Sequence, residues 1–166
     1  MEYFVPATLI DGRSLALLGA AFAYFLPATA SGVGGRLVAE AANGVLAEDP
    51  NKFGRCLVLQ AVTATQGIYG LVIAFFILNS IGFLPGATPA DISVTTGLYF
   101  LIASLPVGVA AFTTGVSQGR AAAAGVSLIA KRPEQLFKAI THAVMIETYQ
   151  LFGLVISILM ILSIQV

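Results

Sequence analysis

The chain has very little charge and almost no metal-binding chemistry. Of its 166 residues, eight are Lys or Arg and eight are Asp or Glu, giving 10% charged residues and a formal net charge of zero. Soluble domains carry about 25%. A neutral chain this poor in basic residues has no cationic face for nucleic acid or for acidic partners. One cysteine, Cys56, and one histidine, His142, are present. A lone thiol cannot close an internal disulfide, and a single Cys and His without ligand spacing exclude a zinc site. Cys56 is expected to pack, and His142, five residues before Glu147, to point to a different helical face from it. The opening MEYFVPATLIDGRS lacks a basic stretch and a small-residue cleavage site, so the first apolar segment is expected to be retained.

What the chain does contain is apolar. Hydrophobic residues make up 58% and the mean hydropathy is +0.94. Four long apolar segments, at 13–46, 54–80, 94–129 and 135–165, each exceed the roughly 20 residues that cross a bilayer. The fold class is therefore an all-α membrane protein with four transmembrane helices. Two of the three connections, AEDPNK and AKRPEQ, are polar and contain Pro; the third, GFLPGATPADIS, has no Lys or Arg. Lys52, Arg55, Lys131, Arg132 and Lys138 gather around the first and last connections, against Arg13 on the other side. The excess of positive charge places 47–53 and 130–135 in the cytoplasm and both termini outside.

The two halves repeat each other. Pro50 pairs with Pro133, Ala47 with Ala130, Gly32-Val33 with Gly115-Val116, Thr65 with Thr148, and GLVI at 70–73 with GLVI at 153–156, every pair 83 positions apart. One offset held over so many pairs indicates a duplicated helical hairpin, 1–83 and 84–166, each copy crossing in the same sense. The first and third segments, with ATASGVGGRLVAEAANG and AFTTGVSQGRAAAAG, are dense in small residues that let backbones approach. The second and fourth end in bulky LVIAFFIL and LVISILMILSI, which suit lipid. Small inside and bulky outside suggests two concentric layers. GVGGRLVAEAANG follows no strand and is set aside as a nucleotide loop.

Within AVMIETYQLFGLVISILMIL stands one carboxylate, Glu147, where the first copy has Ala64. A charge in hydrocarbon is expensive and marks an ion pathway unless a partner neutralises it. Gln66 lies 16 residues beyond Pro50, Glu147 lies 14 beyond Pro133 and Gln118 lies 15 before it. At about 1.5 Å per residue, all three sit about 21–24 Å from the cytoplasmic connections. The Glu147 carboxylate, the Gln66 and Gln118 amide oxygens and the Thr65 hydroxyl form an oxygen set suited to a hard cation such as Na⁺. Tyr69, one turn beyond Gln66, is placed to donate to the carboxylate. The alternative is a hydrogen-bonded cluster around a protonated Glu147, the form that hydrocarbon favours. Glu40 is expected to pair with Arg36 near the cytoplasmic end.

TQGIYGLVIAF, GVSQGRAAAAG, AKRPE and ETYQLFGLVISIL, set in a duplicated hairpin, resemble the membrane-ring proteolipid of V-type ATPases, the c or K subunit in its four-helix form. The similarity covers nearly the whole chain and is greatest to bacterial sodium-translocating members. It implies a subunit of a homo-oligomeric, lipid-embedded rotor ring in a bacterial plasma membrane. Such a ring turns against a stator subunit bearing an essential Arg and is joined through central-stalk subunits to a soluble head that hydrolyses ATP. It also implies Glu147 as the essential carboxylate, Thr65, Gln66 and Gln118 as side-chain ligands, Tyr69 bonded to Glu147, and the Val62 carbonyl as a further ligand. Sodium-type members carry Pro-Gly where this chain has Thr63-Ala64. The cargo is Na⁺, or H⁺ if the amides merely hold a protonated acid; no organic cofactor is implied. A structural pore-forming proteolipid is the remaining alternative, and it has no use for one glutamate in only one repeat.

Overall fold

The computed structural model describes residues 11–165, and the elements among them are helical. The reading of the first fourteen residues as lacking a cleaved leader falls almost wholly outside that range. Helix α1 spans Gly12–Glu48, α2 Phe53–Val62, α3 Thr65–Ser80, α4 Val94–Lys131 and α5 Leu136–Ser163. Asp11 and Ser93 start α1 and α4 from extended backbone, accepting from the amides of Ser14 (2.6 Å) and Thr96 (3.1 Å). These bonds satisfy donors that a helix start otherwise leaves unpaired. Single 3₁₀ turns, Pro50–Lys52 and Pro133–Gln135, open with proline and redirect the chain into the returning helices. Four helical stretches are long and apolar enough to cross a membrane; this is an integral, multi-pass membrane protein.

The second span is not one continuous helix. It breaks at Thr63 and Ala64 between α2 and α3, where the amides of both residues turn back three positions, to Gln60 (3.1 Å) and Ala61 (3.0 Å). Thr63 and Thr65 hydroxyls bond the carbonyls of Gln60 (2.7 Å) and Val62 (3.0 Å), and such back-bonding competes with the i−4 ladder. Thr63-Ala64 thus opens the helix without a proline.

Helices α1 and α4 run side by side along their length, with α3 packed on α1 and α5 on α4. Small residues decide this. A β-carbon at Gly34 would lie 2.8 Å from the Gly115 carbonyl, and one at Gly19 would lie 2.9 Å from the Leu101 α-carbon. In a bilayer no hydrophobic drive joins helices, so such close packing carries the association. Two apolar clusters result. One contains Ala23, Ile73, Ile77, Phe100 and Val107; the other contains Val38, Leu59, Val126 and Ile129. Bulky residues are not confined to α3 and α5 as expected: Phe22, Tyr24 and Phe25 on α1 and Tyr99 and Phe112 on α4 are exposed too. Gly32, grouped in the sequence with the packed glycines, faces open space. At the cytoplasmic turns Lys52 Nζ donates to the Ala130 carbonyl at 2.8 Å, tying the first connection to the negative end of α4.

Candidate functional site

Three polar side chains interrupt the apolar interior: Gln66 at the start of α3, Gln118 on α4 and Glu147 on α5. Both glutamines are wholly buried and Glu147 is 7% exposed. Gln66 Nε2 donates to Gln118 Oε1 at 2.8 Å, and Gln118 Nε2 donates to Glu147 Oε2 at 3.1 Å. From the far side, Tyr69 Oη donates to Glu147 Oε1 at 2.6 Å. Both carboxylate oxygens are therefore acceptors, as an ionised carboxylate requires.

No cation balances this charge within the protein. Among the described residues the ion pairs are Arg36 with Glu40 (3.6 Å), both exposed, and Lys52 with Asp49 (3.4 Å) at a connection. His142 is exposed, away from buried Glu147, and Cys56 is buried in the cytoplasmic cluster. No group of three or more His, Cys, Asp or Glu occurs among the described residues, so the donor set is oxygen from amides, hydroxyls and one carboxylate.

The helix break frees Val62. No backbone amide among the described residues pairs with its carbonyl, which accepts only the Thr65 hydroxyl. Thr65 is thus one residue from Gln66 but outside the chain of bonds that ends on Glu147. Thr114, one turn before Gln118, escapes the depth count. Its hydroxyl lies 3.4 Å from Gln66 Oε1 while donating to the Ala110 carbonyl at 2.8 Å, which leaves Gln66 Oε1 weakly held. Its spacing in TTGVSQ was the available signal. Ser31 accepts from the Gly67 amide at 2.9 Å, occupying a donor that the break exposes. Gly115 makes room for the site: a β-carbon there would lie 2.7 Å from Gln66 Oε1 and 2.7 Å from the Ala30 β-carbon.

Comparison with known sequences fits the duplication. The profile of the ATP synthase C-subunit family matches residues 18–77 and again 101–160, two matches separated by the same 83 positions as the internal repeat. The chain belongs to the ATP synthase C-subunit family. It is 40% identical over 163 residues to the V-type sodium ATPase subunit K of Enterococcus hirae, covering 98% of this chain and 99% of that protein. It is also 33% identical over 156 residues to the A-type ATP synthase subunit K of Methanocaldococcus jannaschii, covering 94% of this chain and 66% of that protein. Family membership accounts for the all-helical, duplicated architecture.

Proposed function

We propose that this chain is a rotor-ring subunit of a V-type rotary ATPase and that Glu147 carries Na⁺ across the membrane. The observation that carries the proposal is charge balance. A carboxylate buried on a membrane helix, held by two hydrogen bonds and facing no Lys, Arg or His of its own chain, needs a cation that comes and goes. Its neighbours are amides that offer oxygen as readily as nitrogen when turned over. With Na⁺ bound, Gln118 and Gln66 would present Oε1, joined by Glu147, the Thr65 hydroxyl and the Val62 carbonyl at the helix break, while Tyr69 keeps the carboxylate oriented. Replacing the water shell of a dehydrated Na⁺ takes several such oxygens, whereas a proton takes one. The name of the Enterococcus hirae relative supports the same cargo.

In this proposal the hairpins 1–83 and 84–166 contribute one carboxylate per protomer to a homo-oligomeric ring. The loops 47–53 and 130–135 lie on the cytoplasmic side of a bacterial plasma membrane and the termini lie outside. An empty, ionised Glu147 is tolerated beside a cationic side chain of the stator but not facing lipid, so the site fills before it rotates away. Rotation and transport are then coupled, and ATP hydrolysis stays with the soluble head.

The test is carbodiimide labelling of Glu147, since the reagent attacks the protonated acid. Sodium should protect Glu147, and protection should weaken as pH falls because H⁺ and Na⁺ compete for one site. Labelling indifferent to sodium from acidic to neutral pH replaces the cargo with H⁺.

A further inference from the structure

Gln150 and Ser157 have no part in the proposed coordination, yet both are wholly buried on α5. They share a helical face with Glu147, three and ten residues beyond it. Both bond the same residue of α4. Gln150 Nε2 donates to the Val107 carbonyl at 3.1 Å, and the Val107 amide donates to Ser157 Oγ at 3.1 Å. Between them Gly153 sets backbone on backbone, since a β-carbon there would lie 2.7 Å from the Pro106 carbonyl. Pro106, inside α4, has no amide hydrogen and crowds the carbonyl one turn back. Side chains of a neighbouring helix commonly satisfy the backbone at such a point.

The first hairpin supplies an internal control. Gly70 meets the Ala23 carbonyl, and these are the counterparts, 83 positions earlier, of Gly153 and Pro106. The close approach is kept, but Pro106, Gln150 and Ser157 are replaced by Ala23, Gly67 and Ala74. Tight packing therefore does not need the polar bonds. They accompany the copy that has the carboxylate and are missing from the copy with Ala64 in its place. Moreover, Gln150 Oε1 is buried without a partner among the described residues. A leucine of similar size would avoid that cost, so the amide is not explained by stability alone.

We infer that Gln150 and Ser157 are positioning residues that clamp α5 onto the proline kink of α4 and so fix the spacing between Gln118 and Glu147. The clamp rests on Glu147 being the ion-carrying carboxylate and sets how tightly, and how selectively, the site holds its ion.

The experiment uses assembled rings in membranes and carbodiimide labelling of Glu147 titrated with NaCl and with LiCl. Gln150→Leu is expected to raise the sodium concentration for half-protection about tenfold, as loss of an outer-shell support typically does, and to change the lithium-to-sodium ratio. Ser163→Ala, whose hydroxyl bonds only the Met160 carbonyl of its own turn, is expected to change neither. An assembled Gln150→Leu ring with wild-type midpoint and wild-type ratio overturns the clamp. Should Gln150→Leu fail to assemble, Ser157→Ala gives the same decision, because it deletes one acceptor and no volume of consequence. If wild-type labelling ignores sodium, the sodium proposal fails but the clamp is still decided. The pH profile of labelling then shifts in Gln150→Leu if the clamp holds, and coincides with wild type if it does not.

Discussion

Removing Gln118 tests the site most directly, because that one amide joins two of the three helices to the carboxylate's helix. In Gln118→Ala, the acceptor of Gln66 Nε2 (2.8 Å) and the donor to Glu147 Oε2 (3.1 Å) both vanish. All three groups are buried, Gln66 and Gln118 completely. A hydrogen bond to a charged group contributes about 1.5–3 kcal/mol, and an orphaned buried donor costs a similar amount. Water entering the vacated space recovers part of this, so the net loss of sodium binding is expected at about 1.5–3 kcal/mol, or roughly 10- to 150-fold. Proton occupancy survives, since the carboxylate and the 2.6 Å bond from Tyr69 remain. Carbodiimide labelling of Glu147 against sodium concentration reads this as a shifted midpoint with full labelling still reached at low sodium. Ser117→Ala, next along α4 and exposed, with its hydroxyl on the Thr113 carbonyl, serves as the control. A Gln118→Ala midpoint within about threefold of wild type would refute the reasoning, because so small a change is less than one such bond contributes.

Glu147→Gln should give rings that assemble but neither transport ions nor support coupled ATP hydrolysis, measured as sodium uptake and inhibitor-sensitive ATPase in vesicles; retained uptake contradicts the role of the carboxylate. Tyr69→Phe deletes one bond and no volume at a half-buried position, so sodium affinity should fall by about fivefold to tenfold in the same labelling titration. Gly115→Leu should prevent folding of the protomer, since even a β-carbon meets Ala30 and Gln66, whereas Gly32→Leu should leave the protomer intact because nothing lies within 4 Å of its β-carbon; protease resistance of the solubilised protein separates them, and equal loss in both contradicts the packing described. The Asn51 backbone amide, together with Lys52, holds the Asp49 carboxyl below its ordinary value of 3.8. A carboxyl lowered on folding stabilises above its unfolded value and ceases to do so as pH falls through the lowered one. The thermal stability advantage of wild type over Asp49→Ala should therefore be present at neutral pH and shrink below about pH 3.8, and an advantage independent of pH contradicts it.

Composition, repeat and depth were legible in the sequence because each depends on one residue's position along a helix. Hydropathy fixes how many segments cross a bilayer, the constant offset fixes the duplication, and counting residues from Pro50 and Pro133 brings Gln66, Gln118 and Glu147 to one level. The small-residue stretches likewise announced which helices would approach most closely. Other features depend on how two helices face each other, which no spacing rule contains. Only the tertiary structure decided that Gln66 reaches Glu147 through Gln118 rather than directly. It also decided that Thr65 turns to the Val62 carbonyl at a helix break, and that Gly32 is open while Gly115 is closed. Gln150 and Ser157 looked like ordinary polar residues of a membrane helix until the kink at Pro106 was seen beside them. Hydrogen bonds across a bundle depend on rotation about each helix axis as well as depth along it, and that rotation is set by packing against neighbours far away in the chain.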